Sequence, residues 1–164
     1  MRSTRQDRRR VTVGFISPPE WDDPSPEEFR QLSATEIGVE QATLAFQNFD
    51  WTLGTIAETE PELLRAATHL GTRGCDVVAN VGTPFSWAGL RDVVASRERA
   101  ARLTAASSCP VVMTSTAILA ALGALGVRRV GLATTYYSDE WTAGWSKFVR
   151  SSGFEVTAAR SLTD

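Results

Sequence analysis

Hydroxyl groups gather at three places in this chain, each just after an apolar run that reads as a strand. Gly82, Thr83 and Ser86 follow residues 75–81, Thr114, Ser115 and Thr116 follow Val111–Met113, and Thr134, Thr135, Tyr136 and Ser138 follow residues 130–133. Hydroxyls combined with the N–H groups of helix starts can hold a carboxylate or an enediolate, because they supply several hydrogen bonds without a competing charge. The same residue types also make N-caps and turns, and any one cluster taken singly is better read that way. What favours a ligand is their common place at the carboxyl ends of predicted strands, the edge where parallel α/β sheets bind.

The elements that must position these groups alternate along the chain. The pattern predicts a strand over residues 11–16 and a helix from Pro26 to near Leu32, opened by a capping box from Ser25 to Glu28. A strand over residues 39–44 follows. A second capping box, Thr59 to Glu62, opens a helix with Leu63, Ala67 and Leu70 on one face, closed by Gly71 and Gly74. The run 75–81 is almost wholly apolar, interrupted only by Asp76 and Asn80, and reads as a central parallel strand. A long helix over residues 88–106 should place Leu90, Val94 and Leu103 inward.

Pro110, which cannot donate to a ladder, suits the start of the strand at Val111–Met113. Ile118, Leu122 and Leu125, widened by Leu119, then predict a buried helical stripe, with a Schellman ending at Gly126 and Val127. Ser138 should cap the last helix, with Asp139 and Glu140 in its first turn, Trp141, Trp145 and Phe148 inward and Gly153 at its close. A last strand begins at Phe154. Such alternation predicts an α/β fold with a doubly wound, largely parallel sheet, in one or two lobes.

Composition narrows the function classes. The 164 residues are 43% hydrophobic and carry a formal charge of −2, which argues for a real core and against a nucleic-acid surface. Arg2, Arg5, Arg8, Arg9 and Arg10 make residues 1–10 read as a disordered basic tail. The apolar run after it ends at Ser17, Pro18 and Pro19, too short for an export signal, and no run is long enough to span a bilayer. A soluble cytoplasmic protein without a membrane partner is expected. Cys75 and Cys109 share no metal or redox spacing and read as buried reduced thiols, and the single histidine, His69, reads as a surface residue. Nucleotide, zinc and hydrolase motifs are missing from the sequence, so no cofactor or metal has a residue basis.

The segments VGTPFSWAGL (81–90), TSTAILAALGALGVRRVGLAT (114–134) and TYYSDE (135–140) resemble those of the Asp/Glu racemase superfamily, most closely its arylmalonate decarboxylase and maleate cis-trans isomerase branch. The likeness runs loosely over residues 11–164 and is most specific over 114–136. It implies two similar α/β lobes facing each other across a cleft, no metal or organic cofactor, and a small dicarboxylate or substituted malonate as substrate. By the same resemblance Thr83 and Tyr136 donate to the retained carboxylate, and Gly82 stands where racemases and isomerases carry a first-lobe cysteine. Pro84 replaces a decarboxylase serine, Ser86 is a compensating hydroxyl, and Pro18 belongs to the Pro-rich turn after the first strand.

The resemblance further implies a first lobe over residues 11–113 and an incomplete second lobe over 114–164, its catalytic cysteine lying beyond Asp164. Neither Cys75 nor Cys109 matches a family cysteine, so no catalytic residue is assigned within the chain. The first expectation is therefore a cofactor-independent isomerase or decarboxylase, inactive as this fragment. The alternative is a non-catalytic carboxylate-binding or interaction domain. An unfinished sheet has an open edge, which adds homo-oligomers to the expected partners.

Overall fold

The computed structural model describes residues 10–162, in which strands and helices alternate as the sequence pattern requires. The elements are β1 (Thr12–Ser17), α1 (Ser25–Leu32), β2 (Gly38–Thr43), α2 (Leu53–Ala57), α3 (Glu60–Thr72), β3 (Val77–Asn80), α4 (Thr83–Trp87), α5 (Val93–Ser107), β4 (Val111–Met113), α6 (Thr114–Ala124), β5 (Arg129–Thr134), α7 (Asp139–Ser151) and β6 (Glu155–Ser161). All strand pairs are parallel. They form one four-stranded sheet, β2-β1-β3-β4, and one two-stranded sheet, β5-β6.

The larger sheet buries both faces. On one face Ile16, Val78 and Met113 join Leu63, Ala66, Ala67 and Leu70 of α3 and Leu103 of α5 in the main core. On the other, Val13 and Phe15 form a smaller cluster with Ile37, closed by Phe29 of α1, whose ring meets Phe15 edge-on at 5.6 Å. Helices α3 and α5 come close because residue 71 is a glycine: a Cβ there would lie 2.1 Å from the Ser107 carbonyl oxygen. The α3–α5 contact is fixed by Glu60, which pairs with the buried Arg99 at 3.1 Å and with Arg102.

Several helix ends follow the sequence signals and others do not. Ser138 caps α7 through the Trp141 N–H, and α6 ends in a Schellman motif, with the Val127 N–H bonded to the Leu122 carbonyl and that of Gly126 to Gly123. Neither predicted capping box forms. The N-cap of α1 is Pro24, and the Ser25 N–H is met by the Asp23 carboxylate at 3.0 Å. Thr59 instead donates its hydroxyl backwards to the Ile56 carbonyl, because α2 ends immediately before it.

The helix expected over 88–106 begins only at Val93, where Asp92 caps α5, and a separate five-residue helix, α4, with Pro84 in its first turn, precedes it. Val94, expected inward, is exposed beside that cap. On α6 the expected stripe is misplaced. Ser115 and Leu119 are buried, whereas Ile118 is 37% and Leu125 78% exposed, since α6 is apolar all round and only one side meets α4 and α5. The predicted basic tail lies outside the described residues except for Arg10, which donates to the Ile37 carbonyl at 2.6 Å and pairs with Glu36. Among the described residues no helix is long and apolar enough to cross a membrane.

Candidate functional site

The chain leaves β3 through Gly82, whose backbone (φ 81°, ψ 92°) lies outside the regions an L side chain occupies without strain. A Cβ at that position would also sit 2.6 Å from Pro18 Cγ, so a side chain there is doubly excluded. The turn brings Thr83 under Pro18, the residue after β1. Tyr136, just past β5, closes the same space, held at a left-handed φ of 51° with its ring edge-on to Trp21. Positive φ in a bulky residue is costly and persists where surrounding structure enforces it, often at functional sites.

Three adjoining cavities meet at Tyr136. One, of about 150 Å³, is nearly all aromatic and apolar, walled by Pro18, Trp21, Trp51, Phe85 and Trp141. The second, about 220 Å³, brings Thr83, Gly82 and Pro18 together with Asp23 and Ser25. The third, about 250 Å³, lies between Thr83, Thr134, Thr135, Tyr137 and Trp145. Thr83 and Tyr136 therefore share two cavities, and Gly82 and Pro18 share two with Tyr136. A larger cavity of about 500 Å³, between α7 and the α4–α5 connection, contains none of the hydroxyl clusters.

Most of the predicted hydroxyls are already committed to the fold. Ser86 lies outside the cleft: it is fully buried, donates to the Thr83 carbonyl at 2.7 Å and accepts the Ser115 N–H at 2.9 Å. It cannot compensate for Pro84 toward a ligand. Ser115 donates in turn to the Ser86 carbonyl, Thr114 to Asn80 and Thr116 to Met113. The middle cluster is thus a staple between α4, α5 and α6. Ser138 is the α7 cap. The groups still facing open space are Thr83 and Tyr136, with Thr135 beside them.

The electrostatics of the cleft are set by neutral donors. Among the described residues no Lys, Arg, His or Cys lines the three cavities, and Asp23 is their one acid, its oxygens accepting from the Ser17 hydroxyl at 2.6 Å and the Ser25 N–H. Tyr137 is 4% exposed, and burial pushes its phenol up to about 12, offset in part by the Thr83 hydroxyl and the Trp87 indole beside it. Cys75 and Cys109 are buried free thiols at the amino ends of β3 and β4, across the sheet from the cleft. Burial raises Cys75 to about 11, so it stays a protonated, unreactive thiol at neutral pH. His69 is exposed on α3. No group of three His, Cys, Asp or Glu side chains that could hold a metal occurs among the described residues.

Two features of the cleft escape sequence reasoning: the aromatic walls and Asp23. Trp21 and Trp51 stand in irregular segments where no periodicity points anywhere. The doublet Tyr136-Tyr137 did carry a signal, since two adjacent side chains leaving a strand do not face the same way.

Comparison with known proteins gives one consistent result. The family model for arylmalonate decarboxylase matches residues 13–163. Among solved structures, an arylmalonate decarboxylase is 26% identical with a TM-score of 0.72, over 92% of this chain and 64% of that one. The maleate isomerase Iso from Pseudomonas putida S16 (21% identity, TM-score 0.79) and the Nocardia farcinica maleate cis-trans isomerase (14%, 0.77) each align over 94% of this chain and 64% of theirs, and share the fold. The chain thus spans just under two thirds of the length of these structures. No curated protein matches it.

Proposed function

Because the chain belongs to the arylmalonate decarboxylase family, an Asp/Glu racemase-like branch of α/β proteins, we propose that its cleft binds an aryl-substituted malonate, with Thr83 and Tyr136 donating to one carboxylate. The observation that carries this reading is the meeting of two unlike spaces at Tyr136: a polar one with the Thr83 hydroxyl and an aromatic one walled by Trp21, Trp51, Phe85 and Trp141. Maleate has two carboxylates and nothing to place against four aromatic rings, so the aromatic cavity favours the aryl acid over it. Neutral donors suit a carboxylate that becomes an enediolate when its neighbour leaves as carbon dioxide, since they stabilise the developing charge without fixing the ground state as an ion pair.

The whole protein, on this reading, is a cofactor-independent decarboxylase of the cytoplasm, and the break between the β1–β4 and β5–β6 sheets supports a first lobe over residues 11–113 and a second starting at 114. A second reading, carboxylate binding without turnover, is favoured for this chain by one observation: none of its thiols lines the cleft.

Titration calorimetry with phenylmalonate and maleate, beside an assay of carbon dioxide release, tests both. Phenylmalonate should bind more tightly than maleate. Thr83→Val and Tyr136→Phe should each weaken it by about 1 to 3 kcal/mol, the cost of a buried acceptor left unpaired. Equal affinity in wild type and both variants removes the site assignment, and binding without carbon dioxide release selects the second reading.

A further inference from the structure

Asp23 is a half-buried carboxylate on the wall of the cleft, and the groups that hold it are neutral. One oxygen accepts from the Ser17 hydroxyl at 2.6 Å and the other from the Ser25 N–H at 3.0 Å. Ser17 is fully buried at the end of β1 and accepts in turn from the Gln41 amide at 3.0 Å, so its proton is committed to Asp23. Among the described residues Asp23 belongs to no ion pair. An ionised carboxylate only accepts, at about four positions, and two neutral donors leave acceptor capacity spare.

The three cavities that meet at Tyr136 therefore differ in charge as well as in polarity. The aromatic one is apolar, the second holds the Asp23 carboxylate, and the third has the Thr134 and Thr135 hydroxyls and no acid. Thr83 borders both of the last two. An α-substituted aryl acid has three groups to place about one carbon. With a carboxylate on Thr83 and Tyr136 and the ring among the tryptophans, the third group faces either Asp23 or Thr135. A second carboxylate beside Asp23 would make a like-charge pair inside a cavity, where repulsion is stronger than in bulk water. An ammonium in the same place would meet an acceptor that has no cation of its own.

We propose that Asp23 is a specificity-determining residue: it turns the second carboxylate of an arylmalonate away, toward Thr134 and Thr135, and so makes the two carboxylates of a symmetric substrate inequivalent in the cleft. The proposal rests on the reading of Thr83 and Tyr136 as carboxylate donors, and it adds a residue that does not hold the retained carboxylate.

The enantiomers of phenylglycine are the probe, because with carboxylate and ring anchored they differ only in where the ammonium points. In calorimetry one enantiomer should bind about five- to fiftyfold more tightly than the other. The ratio should fall as salt rises from about 0.05 to 0.5 M, since the cleft opens to solvent. Asp23→Asn keeps the shape, and should bring the ratio below about twofold while tightening phenylmalonate. Equal affinity of the enantiomers in wild type overturns the steering role, as does a ratio that survives in Asp23→Asn or a weaker phenylmalonate there. Each of these leaves the site reading intact so long as Thr83→Val weakens phenylmalonate, whereas unchanged affinity in Thr83→Val overturns both. Should Asp23→Asn not fold, wild type decides: an enantiomer ratio indifferent to salt overturns the proposal.

Discussion

The two sheets of this molecule are built from similar residues in different surroundings. The four-stranded sheet carries α3 and α5 on one face and the Phe15 cluster on the other, so Ile16, Val78 and Met113 are sealed. The two-stranded sheet packs only one face: Val130 and Val156 are buried on the α7 side, while Gly131, Ala133 and Ala158 are exposed on the other. Nearby α6, as apolar as any helix of the chain, shows Ile118 and Leu125 to solvent. The same residue types are core in one region and surface in the other, which means that position relative to a covering element, and not hydrophobicity, decides what each contributes.

The sharpest way to break this comparison is to truncate one leucine in each region. Leu103 on α5 is fully buried, and Leu103→Ala should cost about 2 to 5 kcal/mol, the transfer and cavity terms together. Leu125→Ala should change stability by less than about 0.5 kcal/mol, since its side chain already lies in water. Urea unfolding of both variants measures the difference. Similar losses in the two would show that α6 is covered in solution, and the contrast between the sheets would fail.

That contrast also separates what the sequence discloses from what it hides. Local signals were legible wherever a residue satisfies its own neighbours: Gly126 at the end of α6 and Ser138 at the start of α7 need only the adjacent backbone. The buried face of α3 was legible too, because polar residues alternate with Leu63, Ala67 and Leu70. The stripe on α6 was not, since a helix apolar on every side carries no mark of which side is covered. Ser25 and Thr59 have the composition of capping boxes, but Asp23 reaches the first N–H of α1 and the preceding α2 takes the hydroxyl of Thr59. In the cleft, Thr83, Gly82, Pro18 and Tyr136 come together along common cavities. Ser86 does not join them, since its hydroxyl is enclosed by backbone groups from elements distant in sequence.

A pair of ion pairs sharpens the comparison further. Glu60 meets Arg99 at 3.1 Å, and Arg99 is 4% exposed with one guanidinium nitrogen otherwise unpartnered. The Arg102 hydrogen bond, with Arg99 beside it, holds the Glu60 carboxyl below its ordinary value, against the opposing effect of burial. Glu60→Gln should therefore cost about 2 to 3 kcal/mol at pH 7, somewhat under a fully buried pair because Glu60 is a quarter exposed. A depressed carboxyl contributes stability above its unfolded pKa and loses it as pH falls through the lower folded value. The gap between Glu60→Gln and wild type should accordingly be full at pH 7 and shrink as the pH drops below about 4, near the unfolded carboxyl value. A gap that is independent of pH would show that shape, and not charge, is what Glu60 supplies between α3 and α5.

The smallest expected effect belongs to the matching pair on the other sheet. Arg129 on β5 and Glu155 on β6 also stand 3.1 Å apart and are direct partners in the strand register. Their side chains are 71% and 60% exposed. In water at that separation, the Coulomb gain is offset by the entropy of holding two long side chains together, and salt screens what is left. Glu155→Gln should then shift the unfolding free energy by less than about 0.5 kcal/mol, and by less still in 0.5 M salt. At one distance the two pairs differ in burial and in the second arginine that Glu60 holds. A loss at Glu155 equal to that at Glu60 would mean that the β5–β6 surface is shielded from water by a further layer.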